Sequence, residues 1–408
     1  MWSTMVQRKE YLDWLIRWRE QQLIKVVTGV RRCGKSTLLS LFMDYLRQTG
    51  VAEEQIISIN LEDIDNEHLL NYQVLHTYVK DRLCKDSFTY VFIDEVQKCP
   101  QFEKAVDSLF IRNNVDIYIT GSNAHILSSE LATLLSGRYV EIRMLPLSFA
   151  EYLEFAKDKN DLKRSDIVSE FTDYLQFGSF PYVATLQKDK AAIRDYIESI
   201  YNTILIKDVA RRKGINDVPV LESIVRFLCS CIGSPISANR ISDAINSSGR
   251  RISVNTVEGY LRALTDSYIF YKVDRFDIRG KQFLKTLGKY YIVDTGLRNM
   301  LVGSGSIELG HLLENVVYLE LIRRGYRVNI GKLAEKEVDF IAEDSLEMAY
   351  YQVSASTLDE NTLRRELEPL QRISDNHPKL LLTLDDYLPN ANYDGVIKKN
   401  VLDWLLEK

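Results

Sequence analysis

The sequence predicts an α/β fold, a mostly parallel sheet covered by helices on both faces, with smaller units following it. Three observations carry that prediction. Short apolar stretches at Leu23–Thr28, Ile56–Asn60, Tyr90–Asp94, Asp116–Thr120 and Tyr139–Met144 recur, with helix-length segments between most of them. Such alternation is what buries a parallel sheet on both sides. The first stretch runs straight into a glycine-containing turn and then a helical pattern, a strand–loop–helix unit of about 30 residues. From Pro146 onward the texture turns helix-rich and aromatic, which marks the end of the sheet-forming region.

The bulk properties bound the answer. At 408 residues the chain is long for one core, so two or three domains are expected. Hydrophobic residues make up 46% and charged residues 27%, the profile of an ordinary globular protein. A formal net charge of -5 excludes a strongly basic coat for nucleic acid, so any such contact must be a local patch. Five cysteines, Cys33, Cys84, Cys99, Cys229 and Cys231, are too few and scattered for a disulfide framework, and Cys229-x-Cys231 lacks the second pair zinc needs. No export segment is expected, because charges break up the apolar residues near the amino terminus. No stretch reaches the roughly 18 apolar residues of a membrane span, so a cytoplasmic, membrane-free protein is expected.

Along the chain, Leu12, Leu15, Ile16 and Trp18 fall at helical spacing within residues 8–20 and predict an amphipathic lead-in helix. After the first strand, Leu38, Leu39, Leu41, Phe42 and Leu46 resume helical spacing until Gly50. Lys35, Asp94, Glu95 and Ser122 all fall at or just after strand ends, where ligands of parallel sheets bind.

The segment Gly29-Val30-Arg31-Arg32-Cys33-Gly34-Lys35-Ser36-Thr37 matches G-x-x-x-x-G-K-[ST] in full. Glycines at both positions let the backbone fold tightly and aim amide hydrogens at phosphate oxygens. Lys35 supplies charge to the terminal phosphates, the Ser36 hydroxyl can ligate magnesium, and the following helix adds its positive end. Arg31 and Arg32 are placed either to touch phosphates or a partner, or to stand in solvent. In Thr89-Tyr90-Val91-Phe92-Ile93-Asp94-Glu95 an apolar strand ends in two carboxylates. Asp94 would bind magnesium through its water shell, and Glu95 would activate the attacking water. Lys35 says binding; Glu95 says hydrolysis.

Ile117-Tyr118-Ile119-Thr120-Gly121-Ser122-Asn123 is a strand ending in small polar residues. Ser122 or Asn123 is expected to hydrogen-bond the attacking water or the γ-phosphate, and the sequence does not separate the two. Arg138, in Leu135-Ser136-Gly137-Arg138, precedes the next strand. Its guanidinium is expected at the active edge of the sheet, for its own nucleotide or a neighbour's, with a surface salt bridge as the alternative.

Taken in order, Gly-Val-Arg-Arg-Cys-Gly-Lys-Ser, Phe-Ile-Asp-Glu-Val-Gln, Ile-Thr-Gly-Ser-Asn, Leu-Ser-Gly-Arg and Pro-Leu-Ser-Phe-Ala-Glu-Tyr-Leu make the chain similar to the bacterial and archaeal AAA-type ATPases that carry a DUF4143 carboxy-terminal region. The resemblance is strongest over residues 24–152. It implies an AAA+-like P-loop NTPase core that takes ATP and Mg2+, with Lys35, Ser36, Asp94 and Glu95 in the usual roles. It also implies nucleotide sites between subunits of a homo-oligomer, with Arg138 a candidate finger. A GTPase would need an Asn-Lys-x-Asp guanine reader, and none follows the acidic pair. An ABC cassette would carry Leu-Ser-Gly-Gly before the acidic strand, whereas Leu135-Ser136-Gly137 comes after it.

In the second half, Leu221, Ile224, Val225 and Leu228 form an apolar stripe, Ser237 and Ser253 stand where they can cap helices, and Tyr268–Val273 and Tyr290–Val293 read as strands around Gly280. This is the order of a winged helix. Arg250, Arg251, Arg262, Lys272, Arg275, Arg279, Lys281, Lys285 and Lys289 give it a basic bias. DNA and a protein partner are both candidates for this unit. Further on, Glu314 on an amphipathic helix, then Glu337-Val338-Asp339 and Gln352-Val353-Ser354 on strands, resemble a PD-(D/E)xK nuclease. Ser354 stands where that pattern needs Lys and Gln352 where it needs the second acid, so a catalytically silent module is expected. Glu337 reads as a solvated strand end.

The expected organisation is a P-loop core over 1–145, a helical lid over 146–212, a winged helix over 213–302, and an inactive restriction-endonuclease-like α/β domain over 303–408, with Gly303-Ser304-Gly305-Ser306 as linker. The expected function is ATP hydrolysis that drives or gates a conformational change. An ATP-dependent nuclease and a slowly hydrolysing nucleotide switch are the alternatives.

Overall fold

The computed structural model describes residues 6–124, 137–156, 163–186, 188–211, 213–215, 217–303, 309–388 and 390–407. Leu135, Ser136 and the Ser304–Ser306 stretch named above lie outside them, as does the side chain of Lys285. The chain forms two compact units, one of residues 1–146 with 266–268, the other of 147–265 with 269–408.

The first unit opens with helix α1 (Lys9–Arg17), then alternates β1 (Ile24–Thr28), α2 (Lys35–Gln48), β2 (Ile56–Asn60), α3 (Tyr72–Lys80), β3 (Thr89–Asp94), α4 (Phe102–Phe110), β4 (Val115–Gly121) and β5 (Tyr139–Arg143). The five strands lie in the order β2-β3-β4-β1-β5, and every neighbouring pair is parallel. Strand side chains alternate between faces. Val91, Ile93, Ile117 and Ile119 share a core with Leu75, Val79, Val106 and Leu109 of α3 and α4. Phe92 and Tyr118 instead stack on each other at 4.9 Å and meet Phe42 of α2. Apolar residues spaced for both faces therefore wrap the sheet, and the carboxyl ends of β1, β3 and β4 converge on one edge.

In the second unit, helices Phe149–Ala156, Arg164–Phe177, Pro181–Thr185 and Lys190–Thr203 come first. A helix (Val218–Ser230), the short β6 (Pro235–Ile236), helices Ala238–Ser247 and Val254–Asp266, and the hairpin β7 (Phe270–Asp277) and β8 (Gln282–Ile292) follow. Ser237 Oγ accepts from the Arg240 amide at 3.2 Å and Ser253 Oγ from the Thr256 amide at 3.1 Å, so both serines cap their helices. The helix Leu309–Arg323 then leads into β9 (Arg327–Leu333), β10 (Lys336–Glu343), β11 (Met348–Ser354), the helix Glu360–Gln371, β12 (Lys379–Thr383), β13 (Asn392–Tyr393) and β14 (Val396–Asn400). One feature departs from the sequence reading. The expected boundary at residue 303 does not divide the sheet, because β7 pairs in parallel with β9 (Arg275 opposite Ile330) and one nine-stranded sheet runs β13-β14-β12-β11-β10-β9-β7-β8-β6. Among the described residues, no helix is long and apolar enough to cross a membrane.

Candidate nucleotide site

β1 ends at Thr28, and the chain must then turn sharply beneath the neighbouring strand. Gly29 takes φ +147°, and a β-carbon there would lie 2.1 Å from the Met144 carbonyl oxygen, so only glycine fits. Gly34, at φ 108°, caps α2 from the left-handed region. The Lys35 amine lies at the first turn of that helix and is 4% exposed. It donates to the carbonyls of Gly29 and Val30 at 3.0 and 3.1 Å. The loop thus curls around its own ammonium. Ser36 and Thr37 are exposed on the same first turn, Arg32 is exposed at φ 68°, and Arg31 pairs with Glu62 at 2.8 Å. Val30 and Cys33 are fully buried, and burial raises the Cys33 thiol pKa, which leaves it inert.

β3 delivers the two carboxylates. Asp94 accepts a short hydrogen bond from the Thr120 hydroxyl of β4, and that same hydroxyl accepts from the Glu95 amide at 3.0 Å. Glu95 adopts φ 54°, which turns its side chain back into the site, where Oε1 lies 3.8 Å from the Lys35 ammonium. Left-handed backbone at a residue that is not glycine is uncommon and costly, and here it brings the second acid beside the lysine. Gln97 Nε2 donates to Glu95 Oε2 at 2.5 Å and to Ser122 Oγ at 3.2 Å. Ser122 and Asn123 are buried at the end of β4. The structure gathers Lys35, Asp94, Glu95 and Ser122 from three strand ends.

Arg138 is a correction. It does not lie at the active edge of its own sheet. Its carbonyl accepts from the Ile24 amide at 2.8 Å, which fixes it beside the amino end of β1, while the phosphate loop leaves the carboxyl end. Its guanidinium pairs with Asp107 at 2.6 Å over the Phe110 ring, the surface salt bridge named as the alternative. In a parallel sheet a residue that precedes a strand lies at the edge opposite to one that follows it, and Arg138 precedes β5.

Two residues with site roles escaped the sequence. Thr120 reads as an ordinary β-branched strand residue, and only the β3–β4 pairing shows that its hydroxyl ties the Asp94 carboxylate to the Glu95 backbone amide. Arg8 is buried, and donates to the Cys33 carbonyl at 3.0 Å and to the Leu145 carbonyl at 2.7 Å. A trans peptide whose carbonyl is held by Arg8 must point the Gly34 N–H the opposite way. No motif marks Arg8.

The donor set suits a magnesium ion, which takes oxygen ligands and keeps much of its water. An exposed serine hydroxyl and one carboxylate are what such an ion asks of a protein when phosphates supply the rest. No cluster of three or more His, Cys, Asp or Glu able to cage a metal occurs among the described residues.

The second carboxylate group, at Glu314 and Asp339, has a different character. Lys289 of β8 inserts its ammonium 2.9 Å from Glu314, 2.8 Å from Glu337 and 3.7 Å from Asp339. Burial by itself would lower the lysine pKa, and the three carboxylates reverse that and raise it. Burial and the nearby Glu314 push Asp339 well above the usual carboxylate range. Glu337 is thus an ion-pair partner, not a solvated strand end. Gln352 holds Glu366 at 2.9 Å, and Ser354 donates to the Ser356 carbonyl.

An all-parallel sheet in this order, with a glycine-lysine loop under the first long helix and an acidic pair at the end of β3, one strand removed from β1, defines a P-loop protein with an AAA-type ATPase domain. An AAA domain model matches residues 21–153, and a domain of unknown function, DUF8612, matches 168–308, where the resemblance had implied a DUF4143 region towards the carboxyl end. An uncharacterized protein of Haemophilus influenzae is 40% identical over 409 residues, covering 100% of both chains. The uncharacterized protein MJ1544 of Methanocaldococcus jannaschii is 30% identical over 329 residues, 78% of this chain and 71% of that one. The chain belongs to the same protein family as these two. In fold it is similar to the Walker-type ATPase PABY2304 of Pyrococcus abyssi, at TM-score 0.51 and 17% identity over 73% of this chain and 96% of that one.

Proposed function

We propose that the chain hydrolyses ATP with magnesium and uses the cycle to drive or gate a conformational change. The observation that carries this is the buried approach of Glu95 to Lys35 at 3.8 Å, a base beside the charge that grips the terminal phosphate. In this reading the amides of Gly29 to Lys35 cradle the phosphates, and Lys35 leaves the loop carbonyls for the γ-phosphate. Ser36 and Asp94 hold the magnesium ion, which would neutralise charge on the phosphates. Glu95 takes a proton from the attacking water while Ser122 and Asn123 orient it or the γ-phosphate. ATP rather than GTP follows from the missing guanine reader and the family resemblance. The test is equilibrium binding and steady-state turnover of Lys35→Ala and Glu95→Gln. The first loses ATP binding; the second binds ATP and does not turn it over. Normal turnover by Glu95→Gln ends this assignment.

The order helix, strand, helix, helix, strand, strand over residues 218–292 supports a winged-helix reading, and DNA is the partner proposed for it. Lys289 and Arg275 are spent on Glu337 and its neighbours, and Lys272 on Asp274. Arg250, Arg251, Arg262, Arg279 and Lys281 remain exposed for phosphates. Salt-dependent binding to duplex DNA that weakens in Arg250→Ala/Arg251→Ala tests it; binding that ignores both salt and the double variant points to a protein partner instead. The nuclease alternative is disfavoured because Gln352 and Ser354 stand where its second acid and its lysine would, and they are engaged with Glu366 and the Ser356 carbonyl. The PD-(D/E)xK-like region is read as a silent module.

A further inference from the structure

Gln97 is the one polar residue of the Phe-Ile-Asp-Glu-Val-Gln motif to which no role has been given, yet it sits in the middle of the site. Its Nε2 spans the Glu95 carboxylate and the end of β4, 2.5 Å from Glu95 Oε2 and 3.2 Å from Ser122 Oγ. Chemistry fixes which way the amide faces. An ionised carboxylate only accepts, so the nitrogen must face Glu95 and the oxygen must face away. That oxygen, Gln97 Oε1, is buried and has no hydrogen-bond partner among the described residues. A buried amide oxygen left unpaired costs free energy, and where it persists beside a reacting centre a donor is expected to arrive with the substrate.

The geometry points to Gln97 as a positioning residue for hydrolysis: its NH2 group holds Glu95 against Ser122, and its Oε1 accepts a hydrogen bond from the water that Glu95 activates. This rests on the reading of Glu95 as the base. Two features follow. The water is gripped at two points, with one O–H directed to Glu95 and the other to Gln97, which leaves a lone pair for the γ-phosphorus; the proton passes to Glu95 as the new P–O bond forms and the bond to the ADP oxygen breaks. The left-handed backbone at Glu95 has a purpose too, because it brings the base within reach of the residue two places on. Gln97 does not touch the phosphate loop in any hydrogen bond found among the described residues, so it should act on turnover and not on ATP affinity.

The experiment compares Gln97→Leu, which keeps the size and removes both amide functions, with Gln97→Glu, which keeps the acceptor and replaces the donor with a second carboxylate. Fluorescent ATP-analogue titration gives Kd and steady-state phosphate release gives kcat, on the full chain with magnesium. The expected result is a kcat lowered by about tenfold or more in both variants with Kd unchanged within about twofold, the signature of an interaction used in the transition state. Thermal melts confirm that both remain folded, and if Gln97→Leu does not fold, Gln97→Glu alone decides. A folded variant with wild-type kcat, or one whose whole loss is in Kd, overturns the inference. Glu95→Gln is measured alongside. If it loses turnover while the Gln97 variants keep theirs, only the role of Gln97 falls; if it keeps turnover, the base assignment falls first.

Discussion

Lys289 offers the most exacting test of the second unit. It is 3% exposed, and its ammonium is held between Glu314, Glu337 and Asp339 at 2.9, 2.8 and 3.7 Å. Replacing it with methionine keeps most of the packing and removes the only cation this close to all three acids among the described ion pairs. Removing one partner of a buried charge group costs about 3–5 kcal/mol, because the remaining charge is left uncompensated. In a unit of this size each kcal/mol moves the melting temperature by roughly 2–4 °C, so a fall of about 6–20 °C is expected. The pH dependence separates this account from lost packing. Without the lysine the acids relieve their repulsion by binding protons, so their native pKa values rise above those of the unfolded chain. The native state then holds more protons than the unfolded one, and stability falls as pH rises. The wild type behaves otherwise at Glu314, which burial raises but Lys289 and its other partners pull below its ordinary value; that contribution is present above about pH 4 and lost on acidification. Melting of Lys289→Met and wild type, followed by circular dichroism at pH 5.5 and 8, gives the answer. The gap should be wider at pH 8. An equal gap at both pH values, or no gap at pH 8, refutes the reasoning.

Gly29→Ala should abolish ATP binding and lower the stability of the first unit, since a β-carbon 2.1 Å from the Met144 oxygen forces β1 and β5 apart; binding near wild type would show that the loop relaxes at no cost. Asp294 accepts from the Ser179 amide and hydroxyl at 2.5 and 2.9 Å and from the Leu297 amide at 2.9 Å, so Asp294→Ala should cost about 2–4 kcal/mol by chemical denaturation. Burial raises the Asp294 pKa despite those donors, so its ionisation weakens the fold as pH climbs above its unfolded value, about 3.9, and the variant should lose that part of the slope. Arg138→Ala should leave ATP affinity of the isolated chain unchanged; if turnover falls only at concentrations where particles assemble, the arginine serves a neighbouring copy.

What the sequence made legible was what depends on local spacing. The phosphate loop, the acidic pair and the succession of strands along the chain needed only a glycine-lysine turn and apolar runs of strand length, because those residue types have few other ways to bury themselves. The buried polar side chains were not legible, since their partners come from distant strands. Lys25 sits in an apolar run and looks like an interruption, yet it is fully buried against Asp116, 91 residues away, at 2.5 Å. Thr120 and Asp94 meet only because β3 and β4 are neighbours, which sequence separation does not reveal. Arg138 is a related case: standing before β5, it belongs to the amino end of that strand and not to the edge where the phosphate loop leaves β1.

The same contrast explains the two carboxylate groups. In each, an aspartate and a glutamate converge with a lysine, so composition alone would call them alike. At Lys35 the ammonium is satisfied by two backbone carbonyls of a loop and stands 3.8 Å from its acid, so a phosphate can replace those carbonyls without breaking a tight ion pair. At Lys289 the ammonium lies within 2.9 Å of two carboxylates, and exchanging it for a ligand would strand buried charge. A lysine held by weak, neutral partners is poised to bind; a lysine held by carboxylates is already bound. The first unit should therefore respond to polyphosphate and the second group should not, and protection of Lys35 but not Lys289 from amine acylation by ATP, with Lys289 unreactive throughout, is the measurement that tells them apart.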